Sequence, residues 1–265
     1  MKSRDYWKKR TLENEAYANS VAELEIIRQQ RLYKQAYKEL KGYIDGLYSD
    51  ISELGITPSR TQLWQFSRWL RMEQRLGELT GDIAVNQIRG TEKELIRVFE
   101  HTMRVTLKDL QRGGAPVNPS FDMLNDDQIK RLINSVWNDS NFSQRYLDNG
   151  IKIGERIKKD LADMLIAGKS PSELKKGLQH DLNMGYYASD RLVRTESNYF
   201  FNTAAKDSYR AAGVERVEYI AEQDSDICDE CEDNAMTNGG IYLIGEAPEL
   251  PVHPNCRCCY APVVE

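Results

Sequence analysis

Apolar residues recur at short, regular intervals along the first fifty residues of the chain, and charged residues occupy the positions between them. This period is that of an amphipathic α-helix with one apolar face. No proline interrupts the pattern before Pro58. The sequence therefore predicts one long helix that packs on neighbouring helices or on a partner. Its predicted apolar face consists of Val21, Leu24, Ile27, Leu32, Ala36, Leu40, Tyr43, Ile44, Leu47 and Ile51.

Two more helical segments are predicted before residue 112. The first begins at Pro58-Ser59, and the turn-forming run Thr80-Gly81-Asp82 is expected to end it. The second extends from about residue 83 to residue 110, and Gly90-Thr91 marks a candidate break within it. The helical period of the whole region predicts an N-terminal helical domain over residues 1–112, and we expect its polar outer faces to bind a partner.

Residues 113–120 interrupt the helical pattern most clearly. They contain two glycines and two prolines, Gly113, Gly114, Pro116 and Pro119. Such a run cannot continue a helix, because proline lacks the amide donor that a helix interior needs. It predicts a linker over 113–120, which separates the N-terminal region from a second helical part over residues 121–213.

Helical patterns return after the linker at about residues 126–137 and 143–167. Ser170-Pro171-Ser172-Glu173 then predicts a helix start, with Ser170 as N-cap and Glu173 completing a capping box. A last helix is expected over about residues 189–212, and Gly213 occupies the place of a left-handed C-terminal cap. Beyond it, residues 214–220 alternate apolar and polar side chains, which predicts a strand.

Composition supports a mainly α fold. Charged residues make up 29% of the chain, hydrophobic residues 40%, and the formal net charge is −5. These values favour long solvated helices over a deeply buried sheet, and they argue against a protein that coats nucleic acid by charge alone. No apolar run is long enough to span a bilayer, and the N-terminus lacks the apolar core of a signal peptide. We therefore expect no membrane anchor and synthesis in the cytoplasm.

The C-terminal region, residues 214–265, contains all five cysteines. Cys228 and Cys231 form a C-x-x-C pair, and His253 and Cys256 form an H-x-x-C pair in a proline-stiffened turn. Two such pairs provide the four ligands that tetrahedral zinc requires. A segment this short buries too little apolar surface to fold alone, and zinc would supply the missing stability. The sequence thus predicts a small α+β module with a zinc-type site.

The ligand set leaves alternatives open. Cys258 competes with His253 as the fourth ligand, and Cys259 is left over. Disulfides are a second interpretation, since a protein that leaves the reducing cytoplasm can be oxidised. Buried reduced thiols are a third, and a catalytic metal site is a fourth.

No other motif indicates an enzyme. The chain contains no Gly-rich phosphate loop, nucleophile elbow or H-E-x-x-H motif. One dense polar group stands out on the last predicted helix, formed by Arg194, Glu196, Asn198 and Asn202. Because residues four apart share a helix face, Asn198 and Asn202 are neighbours. This group is typical either of an interhelical hydrogen-bond network or of a binding site.

Several of these residues resemble a known family in their order. The sequence reads Arg194-Thr195-Glu196, then Asn202, Ala205, Tyr209 and Gly213, then a strand, Cys228-x-x-Cys231 and His253-Pro254-Asn255-Cys256-Arg257-Cys258. This order resembles the Mu F-like group of phage head morphogenesis, or minor head, proteins. The resemblance covers about residues 120–265 and is strongest over 190–260. One departure is that Tyr219-Ile220 stands where the strand often carries a tryptophan.

The resemblance implies a structural, non-enzymatic role in the head of a tailed bacteriophage. It implies binding to the portal protein and to the major capsid or scaffold protein, and contact with packaged double-stranded DNA. The expected location is the virion, inside the capsid near the portal, with the host cytoplasm as the site of assembly. Two alternatives remain, a DNA-binding ejection protein and a metal-dependent hydrolase that uses the Cys/His cluster. Between Glu215 and Glu249 the only cation is Arg216, so DNA contact would fall to the helical part.

Overall fold

The computed structural model describes residues 2–55, 57–115, 117, 124–222 and 227–264. In this part the chain is mostly helical and ends in a small sheet, which confirms the predicted fold class. The helices are α1 (Arg4–Leu54), α2 (Arg60–Leu63), α3 (Ser67–Gly113), α4 (Asp126–Ile133), α5 (Phe142–Ile166), α6 (Pro171–Ala211) and α7 (Asp229–Met236). The strands are β1 (Arg216–Ile220), β2 (Ile241–Leu243) and β3 (Cys259–Val263).

The long helices are more continuous than the sequence pattern predicts. α3 passes through Thr80-Gly81-Asp82 and through Gly90-Thr91, so both predicted interruptions were wrong. α6 likewise joins the two helices predicted on either side of residue 189. A glycine weakens a helix by only about 1 kcal/mol relative to alanine, and packing along the rest of a long helix outweighs that cost. No helix among the described residues combines the length and apolarity needed to cross a bilayer.

The chain divides into two compact units that do not follow the predicted regions. The first unit comprises Met1–Glu25, Thr91–Val136 and Arg191–Glu265, and the second comprises Ile26–Gly90 and Trp137–Asp190. α1, α3 and α6 each contribute residues to both units. The predicted regions 1–112, 113–120, 121–213 and 214–265 differ from this division because a pattern along the chain does not show where one long helix changes packing partners. Of the predicted linker, residues 116 and 118–120 lie outside the described residues.

The second unit is built on an apolar core between α1, α2, α3, α5 and α6. A polar network lies among its buried side chains. Gln87 Nε2 donates to Ser189 Oγ at 2.7 Å and to Gln29 Oε1 at 3.1 Å, and Gln29 Nε2 donates to the Tyr146 hydroxyl at 3.1 Å. The buried apolar side chains contributed by α1 are Tyr33, Ala36, Leu40, Ile44, Leu47 and Ile51.

The predicted apolar face of α1 is correct for its second half and wrong near residues 24–29. Leu24 is 67% exposed and Ile27 is 41% exposed, whereas Glu25 and Gln29 are buried. Polar groups on other helices make this possible, since the Gln29 carboxamide is hydrogen-bonded on both sides. A period of apolar residues alone does not reveal a buried polar layer.

In the first unit, α6 leads into the sheet through the predicted cap. Gly213 adopts a left-handed φ of 69°, and the amide of Val214 donates to the carbonyl of Tyr209 at 3.0 Å. β1 pairs antiparallel with β2 on one side and with β3 on the other, in the order β2-β1-β3. The sheet and α7 form the small C-terminal module.

In the second unit, the predicted start of α6 is also confirmed, because the Ser170 amide donates to Glu173 Oε2 at 2.9 Å.

Candidate metal centre

The C-x-x-C pair is held by the start of α7. Cys228 is the N-cap residue, and its Sγ accepts a hydrogen bond from the amide of Cys231 at 3.4 Å. Capping by a side chain three positions before the donor is the normal way to satisfy a free amide at a helix start. The spacing therefore directs both sulfur atoms to the same end of the helix. Cys231 is buried and Cys228 is half-buried.

The H-x-x-C pair is held by a tight turn. The amide of Cys256 donates to the carbonyl of His253 at 3.1 Å, which closes a four-residue turn. Asn255 adopts a left-handed φ of 64° after Pro254. Proline followed by asparagine at positive φ is the pattern of a type II turn. The local sequence thus brings the imidazole and the thiol to the same side of the loop.

The two pairs meet at Cys231. Its Sγ lies 3.4 Å from Nε2 of His253 and 3.9 Å from Sγ of Cys256. With Zn–S near 2.3 Å and Zn–N near 2.05 Å, neighbouring ligands in a tetrahedral site lie about 3.5–3.8 Å apart. The ligand atoms form two groups, each within 4.8 Å, namely Cys228, Cys231 and His253, and Cys231, Cys256 and Cys258. These Cys/His groups could hold a metal ion.

The protonation of the cluster suits a cation. Nδ1 of His253 lies 2.9 Å from the carbonyl of Pro254, and because that oxygen can only accept, Nδ1 carries the proton. Nε2 is then free as a ligand atom. A hydrogen bond with Cys256 lowers the pKa of Cys258 to about 5, whereas burial raises the pKa of Cys231 to about 12. A bound cation would stabilise the thiolate form of the cysteines that ligate it.

The asparagines of α6 hold the cysteine loop. Asn198 Nδ2 donates to the carbonyl of Cys258 at 3.0 Å, and Asn202 Nδ2 donates to the same oxygen at 3.2 Å. The amide of Asn255 donates to Thr195 Oγ1 at 3.2 Å. Three positions on one face of α6 thus fix the backbone of the loop at two points. Sequence reasoning identified Asn198 and Asn202, but their partner is a loop carbonyl rather than another helix.

The other two residues of the predicted polar group lie apart from the cluster. Arg194 forms an ion pair with Glu23 at 2.9 Å on the surface. Glu196 is fully buried, and its repulsion of the Glu94 carboxylate on α3 helps to raise the pKa of Glu94. The Ser197 hydroxyl donates to Glu94 Oε1 at 2.7 Å.

Two buried glutamates were missed by sequence reasoning. Burial raises the pKa of Glu94 to about 8, with repulsion from Glu25 and Glu196 adding to the effect. Burial also raises the pKa of Glu15 to about 7. The available signal was the position of Glu94 within an apolar period, beside Leu95 and Val98. Both side chains lie in the first unit.

The remaining thiol has a different environment. Cys259 is fully buried, and its Sγ lies 3.8 Å from Oε2 of Glu15, outside both ligand groups. All five cysteines are free thiols, and none is joined in a disulfide.

Comparison with known proteins adds no relative. No protein-family model, curated protein or solved structure matches this chain significantly.

Proposed function

We propose that this chain is a minor head protein of a tailed bacteriophage, a non-enzymatic assembly component bound at the portal and the inner capsid. One observation carries the proposal. The residues that resemble the Mu F-like group are far apart in sequence, yet they meet, because Asn198 and Asn202 hold the carbonyl of Cys258 and Thr195 holds the amide of Asn255. The motif thus corresponds to one structural element.

We further propose that the element is stabilised by one zinc ion. The ligands are drawn from Cys228, Cys231, His253 and Cys256, with Cys258 as the alternative to His253. Cys231 belongs to both groups of ligand atoms and is the shared member of every set. A catalytic zinc keeps one coordination position open, whereas a structural zinc is closed by four protein ligands. Each group of ligand atoms has three members, and a fourth donor from the other group would complete a structural site.

Zinc content tests the metal proposal. The full-length chain, purified under reducing conditions, should contain about one zinc per chain. Cys231→Ser should reduce the zinc content several-fold, because it removes the shared ligand. Cys259→Ala is the matched control, since this thiol lies outside both groups. Wild-type protein without zinc would contradict the proposal, and so would equal zinc loss in both variants.

The fourth ligand can be assigned in the same way. His253→Ala and Cys258→Ala each remove one candidate. The variant that loses zinc identifies the ligand, and retention of zinc by the double variant His253→Ala with Cys258→Ala would contradict a four-ligand site.

Quantitative mass spectrometry of purified procapsids and virions tests the assembly role. A tagged full-length chain should be present in a few copies per head and should co-purify with the portal protein encoded in the same genome. Absence from both particles would contradict the proposal.

The partner surface expected within residues 1–112 can be tested by substitution rather than deletion, because residues from this range belong to both compact units. Leu24 is 67% exposed on α1. Leu24→Glu should weaken co-purification with the portal protein, whereas Val136→Glu, at a 69% exposed position outside the range, should not. Equal effects of the two substitutions would contradict the assignment.

A further inference from the structure

The first unit exposes a row of cations on α3. Between Thr91 and Gly113, every exposed residue is lysine or arginine except Gln111. We call this row the cationic face. Its members are Lys93, Arg97, Arg104, Lys108 and Arg112.

The row is straight. At about 100° per residue, the five positions fall within an arc of about 100° on the helix surface. Their separation along the axis, at about 1.5 Å per residue, extends over about 28 Å from Lys93 to Arg112. A rigid helix therefore presents five positive charges toward one side.

Carboxylates near the cationic face neutralise only part of its positive charge. Among the described residues none of the five cations forms an ion pair. Glu92 and Glu100 are half-exposed on the same helix, and burial together with a hydrogen bond to Asp126 of α4 raises the pKa of Glu100. Asp109 is turned inward, where Arg10 neutralises it at 2.8 Å. On α4, Lys130 and Arg131 in the last turn are balanced by Asp126 and Asp127 in the first turn, so this helix adds no net charge to the face.

The charge of the whole chain is unevenly distributed. Residues 214–265 contain twelve carboxylates and two arginines, a formal net charge of −10. The preceding 213 residues therefore carry +5, although the chain as a whole carries −5. The acidic module would repel a polyanion, so the helical part is the place for such contact.

We infer that the cationic face of α3 binds the phosphate backbone of duplex nucleic acid without reading its sequence. Lysine and arginine in a row contact phosphates, and phosphate contacts position a protein without specifying bases. Stacking platforms for single strands need exposed aromatic rings. The aromatic residues of α3 between Thr91 and Gly113 are Phe99, which is buried, and His101, which is stacked on Tyr17. This inference deepens the proposed function and rests on it for the identity of the nucleic acid as packaged DNA.

Binding of the purified full-length chain to a fluorescent duplex of mixed sequence tests the inference. If five phosphates are neutralised, the slope of log K against log salt concentration should be about −4.5. Affinity should then fall about 500-fold between about 50 and about 200 mM NaCl. A single strand of the same length should bind more weakly than the duplex.

A charge-matched pair of variants locates the surface. Arg97→Gln, Arg104→Gln and Lys108→Gln together should lower the salt slope to about −1.8 and reduce affinity at least tenfold. Lys38→Gln, Lys41→Gln and Lys159→Gln remove the same charge from exposed sites of the second unit and should change affinity less than twofold. All six side chains are exposed, so melting temperatures should stay unchanged. The variant that keeps charge at the face, Arg97→Lys with Arg104→Lys, should bind as the wild type does.

Three results would overturn the inference, namely no duplex binding, tighter binding of the single strand, or equal losses in both triple variants. A negative result in the duplex-binding assay would contradict only this inference, because association with the head is measured in a separate experiment. Failure of head association with intact duplex binding would instead contradict the proposed function.

Discussion

The core of the second unit and the C-terminal module of the first unit use different physical means to become ordered. The second unit buries large apolar side chains from five helices, among them Leu40, Trp69 and Leu161. The module has a three-stranded sheet with short strands and a cluster of thiols and imidazole at its turns. The free energy gained by burying apolar side chains scales with the area buried, and a segment of about fifty residues buries little apolar area.

The comparison shows where each part is sensitive. A helical core spreads its stability over many contacts, so one substitution removes a fraction of it. A module organised by ligands concentrates stability at a few atoms. The α6 asparagines extend that concentration to the backbone of the cysteine loop.

Removal of the metal should produce the largest effect. Zinc supplies about 10–16 kcal/mol in isolated zinc-finger peptides, so a chelator under reducing conditions should abolish ordering of the module. Amide hydrogen exchange should lose protection in β1 and β3, while α5 in the second unit stays protected. Unchanged protection of the strands would show that the module folds without metal. The module and the core of the second unit would then not differ in how they become ordered.

Truncation in the helical core should have the next largest effect. Leu40 is 1% exposed in the second unit, and Leu40→Ala should lower the free energy of unfolding by about 2–5 kcal/mol through lost contacts and a cavity. Leu70→Ala is the matched control at a 47% exposed position of the same unit, and it should cost under about 1 kcal/mol. Urea denaturation measures both. Zinc content should not change in either variant, and its loss in Leu40→Ala would contradict the separation of the two mechanisms.

Glu94 should make the first unit less stable as pH rises. Its pKa is about 8 in the folded chain against an ordinary 4.5, so the folded state binds the extra proton between these values. The contribution of Glu94 to the free energy of unfolding is therefore fully present below about pH 4.5 and is lost as pH increases through about 8. Glu94→Gln should reduce this slope and stabilise the chain by a few kcal/mol at pH above about 8.

Thermal unfolding between pH 5 and pH 9 provides the measurement, with Glu155→Gln as the exposed control. An unchanged pH slope in Glu94→Gln would show that Glu94 is not the titrating group.

Loss of an α6 contact should have the smallest effect. Asn202→Ala removes one of two donors to the carbonyl of Cys258, which should cost about 1 kcal/mol of stability. Groups that orient ligands commonly contribute about tenfold to metal affinity, so competition with a chelator should show a loss of that size. Thr203→Ala is the neighbouring control, because its hydroxyl bonds only within α6 to Tyr199 at 2.8 Å. Equal zinc affinity in Asn202→Ala and Thr203→Ala would limit the asparagine to a structural role.

Local signals predicted part of this protein well. The caps at Ser170 and Gly213, the strand predicted over 214–220 and observed as β1, and the turn at Pro254 each depend on a few neighbouring residues. The spacing of Cys228 and Cys231 likewise predicts two neighbouring thiols, although the helix α7 that begins between them was not predicted. The breaks predicted at Gly81 and Gly90 were wrong, because the low helix preference of glycine is weak and the packing that keeps α3 continuous is not visible in the sequence.

The sequence by itself determined the helical class, the sheet strand after Gly213 and the residue types available to a metal, because periodicity, capping and turn chemistry act over short distances. Only the tertiary structure decided which halves of α1, α3 and α6 belong to which unit, why Glu25 is buried while Leu24 is exposed, and which atoms of α6 meet the cysteine loop. Asn198 and the Cys258 carbonyl are sixty positions apart, and no local preference encodes a contact at that separation. Their meeting depends on how the sheet packs against the helix.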